Sequence, residues 1–285
     1  MRLFVTGGTG FIGTHFVAQA MMAGHEVKAL RRPGSVTRLP LKEAPEWIDG
    51  ALDDDWRAEL KGCEVLVHLA AHTANPPYAP LHECLHWNVC APLRLAQHAW
   101  DVGISRFLIA GSCFEYGRVA DTHAWLGEDS PIEPLLSYPA SKAAATVAFG
   151  GFAREHSALL KVLRVFQAFG EGEAPGRLWP SLRRAALSGD DFPMTAGEQL
   201  RDFMAVQDVA RAFVAHLDFD GVKPGDPQIH HVCSGRPQSL LDFASHWWAH
   251  WGATGRLLPG AIDYRQGEIM RLLPRQGTCM TTSRE

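Results

Sequence analysis

Tyr138 and Lys142 stand four residues apart, so on a helix they share one face. Pro139 between them is compatible only with the first turn of such a helix. A tyrosine with its ordinary pKa of about 10 is a poor proton carrier near neutrality. A neighbouring ammonium favours the phenolate and draws that pKa toward working pH. The pair could then give or take a hydroxyl proton while a nicotinamide carries hydride, although the same spacing suits a solvated helix face. Val5-Thr6-Gly7-Gly8-Thr9-Gly10-Phe11-Ile12-Gly13 satisfies G-x-G-x-x-G from Gly8 and G-x-x-G-x-x-G from Gly7. A glycine turn lets the backbone approach a pyrophosphate, and the following helix offers free N–H groups and a positive dipole end. Gly13 would let that helix pack closely on the strand before it. The strand–turn–helix context favours dinucleotide binding over an ordinary tight turn.

These groups need elements to hold them. Arg2–Thr6 and residues 27–30, 65–69, 106–110 and 161–166 read as buried strands. Residues 11–23, 81–102 and 138–155 carry helical spacing or composition between them. Strand–helix alternation needs crossover connections, which build a parallel sheet covered on both faces. After Gly170 comes a Gly- and Pro-rich stretch, with helices expected at 178–187, 206–216 and 240–251 and a strand at 229–232. The expected organisation is a dinucleotide-binding domain over 1–170 and a smaller substrate-binding subdomain over 171–285, with some chain returning to the core.

The 285 residues carry 27 Lys+Arg against 31 Asp+Glu, a formal net charge of −4. No basic excess points to nucleic acid or an anionic membrane. No apolar run reaches the roughly 20 residues of a membrane helix. Six cysteines, none in a C-x-x-C pair, suggest free thiols and a reducing cytoplasm. No signal peptide precedes the first strand, which fits the same expectation.

Together with the glycine loop, five further segments occur in a telling order. They are His68-Leu69-Ala70-Ala71, Asn88-Val89, Gly111-Ser112-Cys113-Phe114-Glu115-Tyr116-Gly117, Tyr138-Pro139-Ala140-Ser141-Lys142, and Leu163-Arg164-Val165-Phe166-Gln167-Ala168-Phe169-Gly170. Arg201-Asp202-Phe203 and Val206-Gln207-Asp208-Val209-Ala210 follow. In this order the chain resembles the extended short-chain dehydrogenase/reductases that act on nucleotide sugars as epimerases, dehydratases and ketoreductases. The resemblance implies a Rossmann-type, doubly wound parallel sheet. It implies that Ser112 bonds the reacting oxygen, Tyr138 is the acid–base, and Lys142 holds the nicotinamide ribose and tunes Tyr138. Asn88 would support the Lys142 site through water. Gly7, Gly10, Phe11, Ile12, Gly13, Leu69, Ala70, Ala71 and Phe166 would line the cofactor. Cys113 and Phe114 would face the substrate, and Gln167 stands where the family usually has Asn. Arg177, Leu178 and Arg201 match positions that grip the nucleotide diphosphate, with Arg271 as a late phosphate contact. Helices 81–102 and 138–152 would pair with a second copy in a homodimer.

Within that group, dehydratases place adjacent Asp and Glu directly after the catalytic Ser/Thr. Here those positions are Cys113 and Phe114, and Glu115 comes one place too late. A GDP-fucose-synthase-like mechanism would want a Cys two places after the serine, and Cys113 is one place after. Reduction of a 4-keto-6-deoxy nucleotide sugar, or the reverse oxidation, is the expected reaction, with C4 epimerisation as the alternative. A cofactor-bound sensor or scaffold is the alternative of another class, disfavoured by the presence of Ser112, Tyr138 and Lys142 together. NAD-binding members end their second strand in Asp or Glu, which accepts from the ribose 2′-OH. Here Arg31 and Arg32 follow the strand, so NADP(H) is expected over NAD(H). No metal is expected. His82-Glu83-Cys84-Leu85-His86 spells the helical zinc signature H-E-x-x-H, but it falls in a helix already accounted for. His246 and His250, and the cluster Trp247, Trp248 and Trp251, are expected on or packed beneath a late helix.

Overall fold

Leu3 and Val5 of the first strand turn to one face and Phe4 to the other, and all three are fully buried. A strand buried on both sides must lie inside a sheet covered by helices on both faces. The computed structural model describes residues 1–265 and 267–275. Its strands are β1 (Arg2–Thr6), β2 (Glu26–Arg31), β3 (Glu46–Asp49), β4 (Val65–His68), β5 (Arg106–Ser112), β6 (Leu159–Val165), β7 (Gln167–Phe169), β8 (Phe192–Met194), β9 (Leu200–Ala205), β10 (Gln228–Val232), β11 (Pro237–Ser239), β12 (Leu257–Pro259) and β13 (Arg271–Leu272). The α-helices are α1 (Phe11–Met22), α2 (Arg57–Leu60), α3 (Leu81–Leu85), α4 (Ala91–Asp101), α5 (Val119–Thr122), α6 (Ser137–His156), α7 (Leu178–Ser188), α8 (Val206–Ala215) and α9 (Leu240–His250).

The main sheet has seven strands in the order β10-β6-β5-β4-β1-β2-β3, and every pairing is parallel. One face is covered by Phe16, Val17 and Ala20 of α1 and Val209 and Phe213 of α8, which pack on Leu3, Val5, Val65 and Val67. The other is covered by Leu95, Ala96 and Ala99 of α4 and Phe149 and Phe152 of α6, over Phe4, Leu66, Phe107 and Ile109. Each fully buried Phe or Leu contributes roughly 1.5–3 kcal/mol of transfer free energy. This is the doubly wound sheet the motifs imply. Chain order turns back between β1 and β4, so the carboxyl ends of these two strands flank the crevice where such sheets bind ligands.

β10 joins the main sheet and α8 packs on α1, although both follow Gly170. The remaining late elements form a second layer. β9 pairs with β11, β13 and β7, and β8 pairs with β12. Trp248 is buried among Leu182, Ala185 and Met194 of the neighbouring elements, while Trp247 and Trp251 pack on Trp179. The tryptophan cluster is therefore core rather than a binding patch.

The long helix expected over 81–102 is interrupted. Five residues, His86–Cys90, form a π-helical turn between α3 and α4. In the H-E-x-x-H motif, Glu83 faces His72 at 3.7 Å and His86 faces Asp53 at 3.7 Å. Among the described residues no three His, Cys, Asp or Glu side chains converge as a metal site. The strand β3 was not anticipated, because only Trp47 and Ile48 are apolar between Pro45 and Gly50. Cys63, Cys84, Cys90 and Cys113 are free thiols. Cys233 is disulfide-bonded, which corrects the expectation of free thiols there, and Cys279 lies outside the described residues. Among the described residues no helix is long and apolar enough to cross a membrane.

Candidate active site

The glycine loop joins β1 to α1 at the crevice. Gly7 adopts a left-handed φ of 75°, and a Cβ there would lie 2.5 Å from the Ala70 amide nitrogen. A Cβ on Gly13 would lie 2.0 Å from the Gly7 carbonyl oxygen. The Gly10 N–H donates to that same oxygen at 2.9 Å, which closes the turn. The N-terminus of α1 has no side-chain cap and no acidic residue in its first turn. Its leading N–H groups, on Phe11 and Ile12 first, are left for an anion. Leu69, Ala70 and Ala71 run past this loop from β4, with the Leu69 N–H donating to Thr6 O at 3.1 Å. A cradle this tight, which side chains would fill, fits a dinucleotide pyrophosphate.

At the end of β2, Arg31 is not free. Its Nε donates to Asp49 Oδ1 at 2.8 Å and its guanidinium lies 5.1 Å from the Trp47 ring. Asp49 and Trp47 both belong to β3. The expectation that no carboxylate stands there is thus corrected: the unforeseen strand supplies one. Arg32 is exposed.

Ser112 ends β5 and caps a short 3₁₀ turn over Cys113–Tyr116. Its Oγ accepts the Phe114 N–H at 3.2 Å, and its own N–H donates to Glu115 Oε1 at 2.7 Å. Tyr138 is the second residue of α6, where Pro139 costs no backbone bond. The Ser112 side chain lies close enough to Tyr138 to act on its phenol. Lys142, one turn on and buried, donates from Nζ to Ala110 O at 2.6 Å on the same strand as Ser112. The trio is therefore assembled by β5 and the first two turns of α6. Asn88, in the π turn, donates to Ser141 Oγ at 2.9 Å and accepts the His72 N–H at 2.7 Å. It acts on the neighbour of Lys142 rather than on Lys142 itself. π turns recur at functional sites, and here the inserted residue aims Asn88 at α6.

Burial pushes the Tyr138 phenol upward, and the nearby Ser112 side chain opposes it. Burial also lowers the Lys142 pKa, opposed by the charge of Glu115. The expectation of a tyrosine drawn down by Lys142 does not hold in this arrangement, because burial, reinforced by Tyr78, Cys113 and Glu115, outweighs the lowering effect of Ser112. Tyr138 is held as a protonated phenol. Tyr78, from the loop before α3, stacks on its ring with centroids 5.5 Å apart.

The proposed substrate residues divide. Cys113 is buried, and burial pushes its thiol up to about 12, so it is a neutral wall. Phe114 packs half-buried beside it. Gln167 sits in β7 opposite Phe203. Arg177 is the N-cap of α7 with Leu178 at its first turn, and its charge reaches Tyr78. The Arg177 Nε lies 3.4 Å from Glu173 Oε1. Glu173 is held up to about 7 by burial, and its Oε2 has no hydrogen-bond partner among the described residues. Arg201 is buried and committed to the chain after α9: it donates to Ile269 O at 2.6 Å and meets Glu268 at 3.2 Å. Arg271 donates to Ala124 O at 2.9 Å and lies over Trp125, so its guanidinium serves the α5 segment. Phe166 is buried edge-on to His231. Sequence reasoning missed Tyr78, Asp49 and the partners of Glu115. No motif marks the first two, and Glu115 was legible only as a carboxylate out of place.

The chain is similar to several known proteins. The chain is 28% identical over 248 residues to UDP-glucuronic acid decarboxylase 1 of Xenopus tropicalis, covering 81% of this chain and 58% of that protein. It is 26% identical to UDP-glucose 4-epimerase of Corynebacterium glutamicum, over 84% of this chain and 77% of that one. It is 25% identical to dTDP-6-deoxy-L-talose 4-dehydrogenase (NAD(+)) of Aggregatibacter actinomycetemcomitans, over 84% of this chain and 87% of that one. Among solved structures, MoeE5 in complex with UDP-glucose and NAD superposes with a TM-score of 0.79 at 28% identity, over 99% of this chain and 90% of that one. The match to a family model spans residues 3–229, from β1 and the glycine cradle through Ser112, Tyr138 and Lys142 into β10. The chain belongs to the NAD dependent epimerase/dehydratase family.

Proposed function

We propose that this chain is an NADP(H)-dependent oxidoreductase that reduces a 4-keto-6-deoxy nucleotide sugar at one carbon, or runs the reverse oxidation. The observation that carries this reading is the buried trio Ser112, Tyr138 and Lys142 beside the tight glycine cradle. Bound nicotinamide dinucleotide would supply the hydride. The loop from Gly7 to Gly13 would hold its pyrophosphate, with Leu69, Ala70, Ala71, Asn88 and Phe166 around it. Ser112 orients the sugar oxygen, and Tyr138, kept protonated by burial, donates the proton to it. Lys142 holds the ribose and stabilises the phenolate left behind. Arg177 and Leu178 at the start of α7 suit a diphosphate. Residues 171–285 would mainly serve the substrate, with β10 and α8 returning to the core.

Dehydration is disfavoured, because Glu115 is buried and bonded to Arg164 rather than facing a sugar. Coverage of 87% of the talose dehydrogenase supports a simple reductase. C4 epimerisation is the second reading, supported by likeness to UDP-glucose 4-epimerase. Incubation with NADPH and candidate nucleotide sugars, followed by mass spectrometry, separates the two. A reductase product gains two hydrogens, and an epimerase product keeps its mass. No change in any sugar would count against both.

The cofactor preference rests on Arg32, which among the described residues has no carboxylate to neutralise it as Asp49 neutralises Arg31. A 2′-phosphate would meet Arg32 and the outer edge of Arg31. Arg32→Ala should therefore weaken NADPH about tenfold to a hundredfold, the worth of one charge-assisted bond, and leave NADH nearly unchanged. Titration of wild type and variant with both cofactors checks this. Tighter NADH binding by the wild type would overturn it.

A homodimer through residues 81–102, which span α3, the π turn and α4, and through α6 belongs to the same proposal. Val147 is 64% exposed and Leu81 48%, and Ala140, Ala144 and Ala148 continue the α6 face as small, half-buried residues. Light scattering at micromolar concentration should give twice the chain mass of 31.3 kDa. A mass of one chain would refute it.

A further inference from the structure

We propose that Glu115 is a positioning residue, locking the catalytic face of α6 to the catalytic end of β5. The proposal rests on the roles of Ser112, Tyr138 and Lys142 given above. Glu115 is completely buried, yet it belongs to neither the proton path nor the cradle. Its Oε1 accepts the Ser112 N–H at 2.7 Å. Its Oε2 accepts the Thr146 hydroxyl at 2.9 Å and the Arg164 Nε at 2.9 Å. Thr146 stands four residues after Lys142 and eight after Tyr138, so all three lie along one face of α6. One carboxylate thus grips the backbone of the serine and the helix face that carries the other two groups.

Arg164, from β6, balances the charge and anchors the carboxylate from behind. It also donates to the Tyr116 hydroxyl at 2.8 Å and to Glu128 O at 3.0 Å. The Tyr116 hydroxyl in turn donates to Gly127 O at 2.8 Å and is hydrogen-bonded to His231. Every oxygen of Glu115 is therefore fixed in direction. A buried ion pair is a poor source of net stability, since apolar residues of similar volume often serve as well. Directional bonds are what such a pair provides and an apolar pair cannot. A helix packed on a sheet shares no backbone hydrogen bonds with it, so the Ser112–Tyr138 distance depends on side-chain packing and ties of this kind. Displacement of reacting groups by about 1 Å can cost about 100-fold in rate.

The test separates positioning from mere structure. Thr146→Val removes only the helix end of the link and unpairs no charge. It should lower kcat about tenfold, with KM for the sugar, the cofactor dissociation constant and the urea midpoint close to wild type. Thr146→Ser should restore kcat. Glu115→Gln keeps the shape but loosens both ends, and per folded molecule it should lower kcat about 100-fold. The double variant should be no slower than Glu115→Gln, because both act through one link. Thr146→Val at wild-type kcat overturns the proposal, as does a loss of kcat that Thr146→Ser does not restore. If wild type is active, Tyr138→Phe inactive and Thr146→Val unimpaired, this proposal alone fails. If wild type leaves every nucleotide sugar unchanged, the catalytic reading fails and takes this one with it.

Discussion

Tyr138→Phe should lower kcat by about 10²–10⁴-fold, the usual worth of a positioned acid–base group, and leave the cofactor dissociation constant unchanged. The change removes one hydroxyl. The ring that remains still stacks on Tyr78 and stays buried at the start of α6. Ser112 keeps its place, because the Phe114 and Glu115 bonds that fix it are untouched. Burial holds the phenol above its ordinary pKa, so the wild type has a proton to donate throughout the neutral range. In the reductive direction its rate should fall only as pH rises far enough to strip that proton. Steady-state kinetics beside cofactor titration checks the pair of outcomes. A variant that keeps most of its rate would remove Tyr138 from the mechanism.

Gly7→Ala should abolish tight cofactor binding and weaken the fold. An L residue held left-handed costs about 1–2 kcal/mol, and overpacking a tight site costs about 1–3 kcal/mol. Here the new methyl would run into the Leu69–Ala70 peptide, 2.5 Å from Ala70 N and 2.6 Å from Leu69 C, with no flexible side chain to yield. The loop or the end of β4 must move, and either one shapes the cradle. Gly24→Ala is the control, since Gly24 has a φ of 83° with nothing within 4 Å of the added Cβ. It should carry the conformational strain and leave cofactor affinity intact. Urea denaturation and cofactor titration on both variants read the two effects separately. Gly7→Ala binding cofactor like wild type would mean the loop is not the cradle.

The strands that built the predicted sheet are runs such as Val65-Leu66-Val67, buried on both faces and therefore apolar. Such runs announce themselves. β3 does not, being a short edge strand with Glu46 and Asp49 at its ends. Missing it hid Asp49, and with it the ion pair that occupies Arg31. The π turn was equally hidden, since one inserted residue barely disturbs helical spacing over 81–102, yet it aims Asn88 at Ser141. Glycine positions and the Tyr138–Lys142 spacing were legible because their chemistry depends on local geometry. Tyr78, the Glu115–Thr146 link and the engagement of Arg201 and Arg271 depend on residues far apart in the chain. Periodicity carries no trace of them. The balance between burial and charge at Tyr138 was misjudged for the same reason, because desolvation is set by the whole fold.

Transfer of deuterium from the nicotinamide ring of labelled NADPH to a 4-keto-6-deoxy nucleotide sugar is the most direct measurement of the proposed chemistry. The wild type should yield a reduced sugar with deuterium at C4, and Tyr138→Phe should yield almost none in the same time. A sugar product formed without deuterium, or labelled equally by the variant, would contradict hydride transfer assisted by Tyr138.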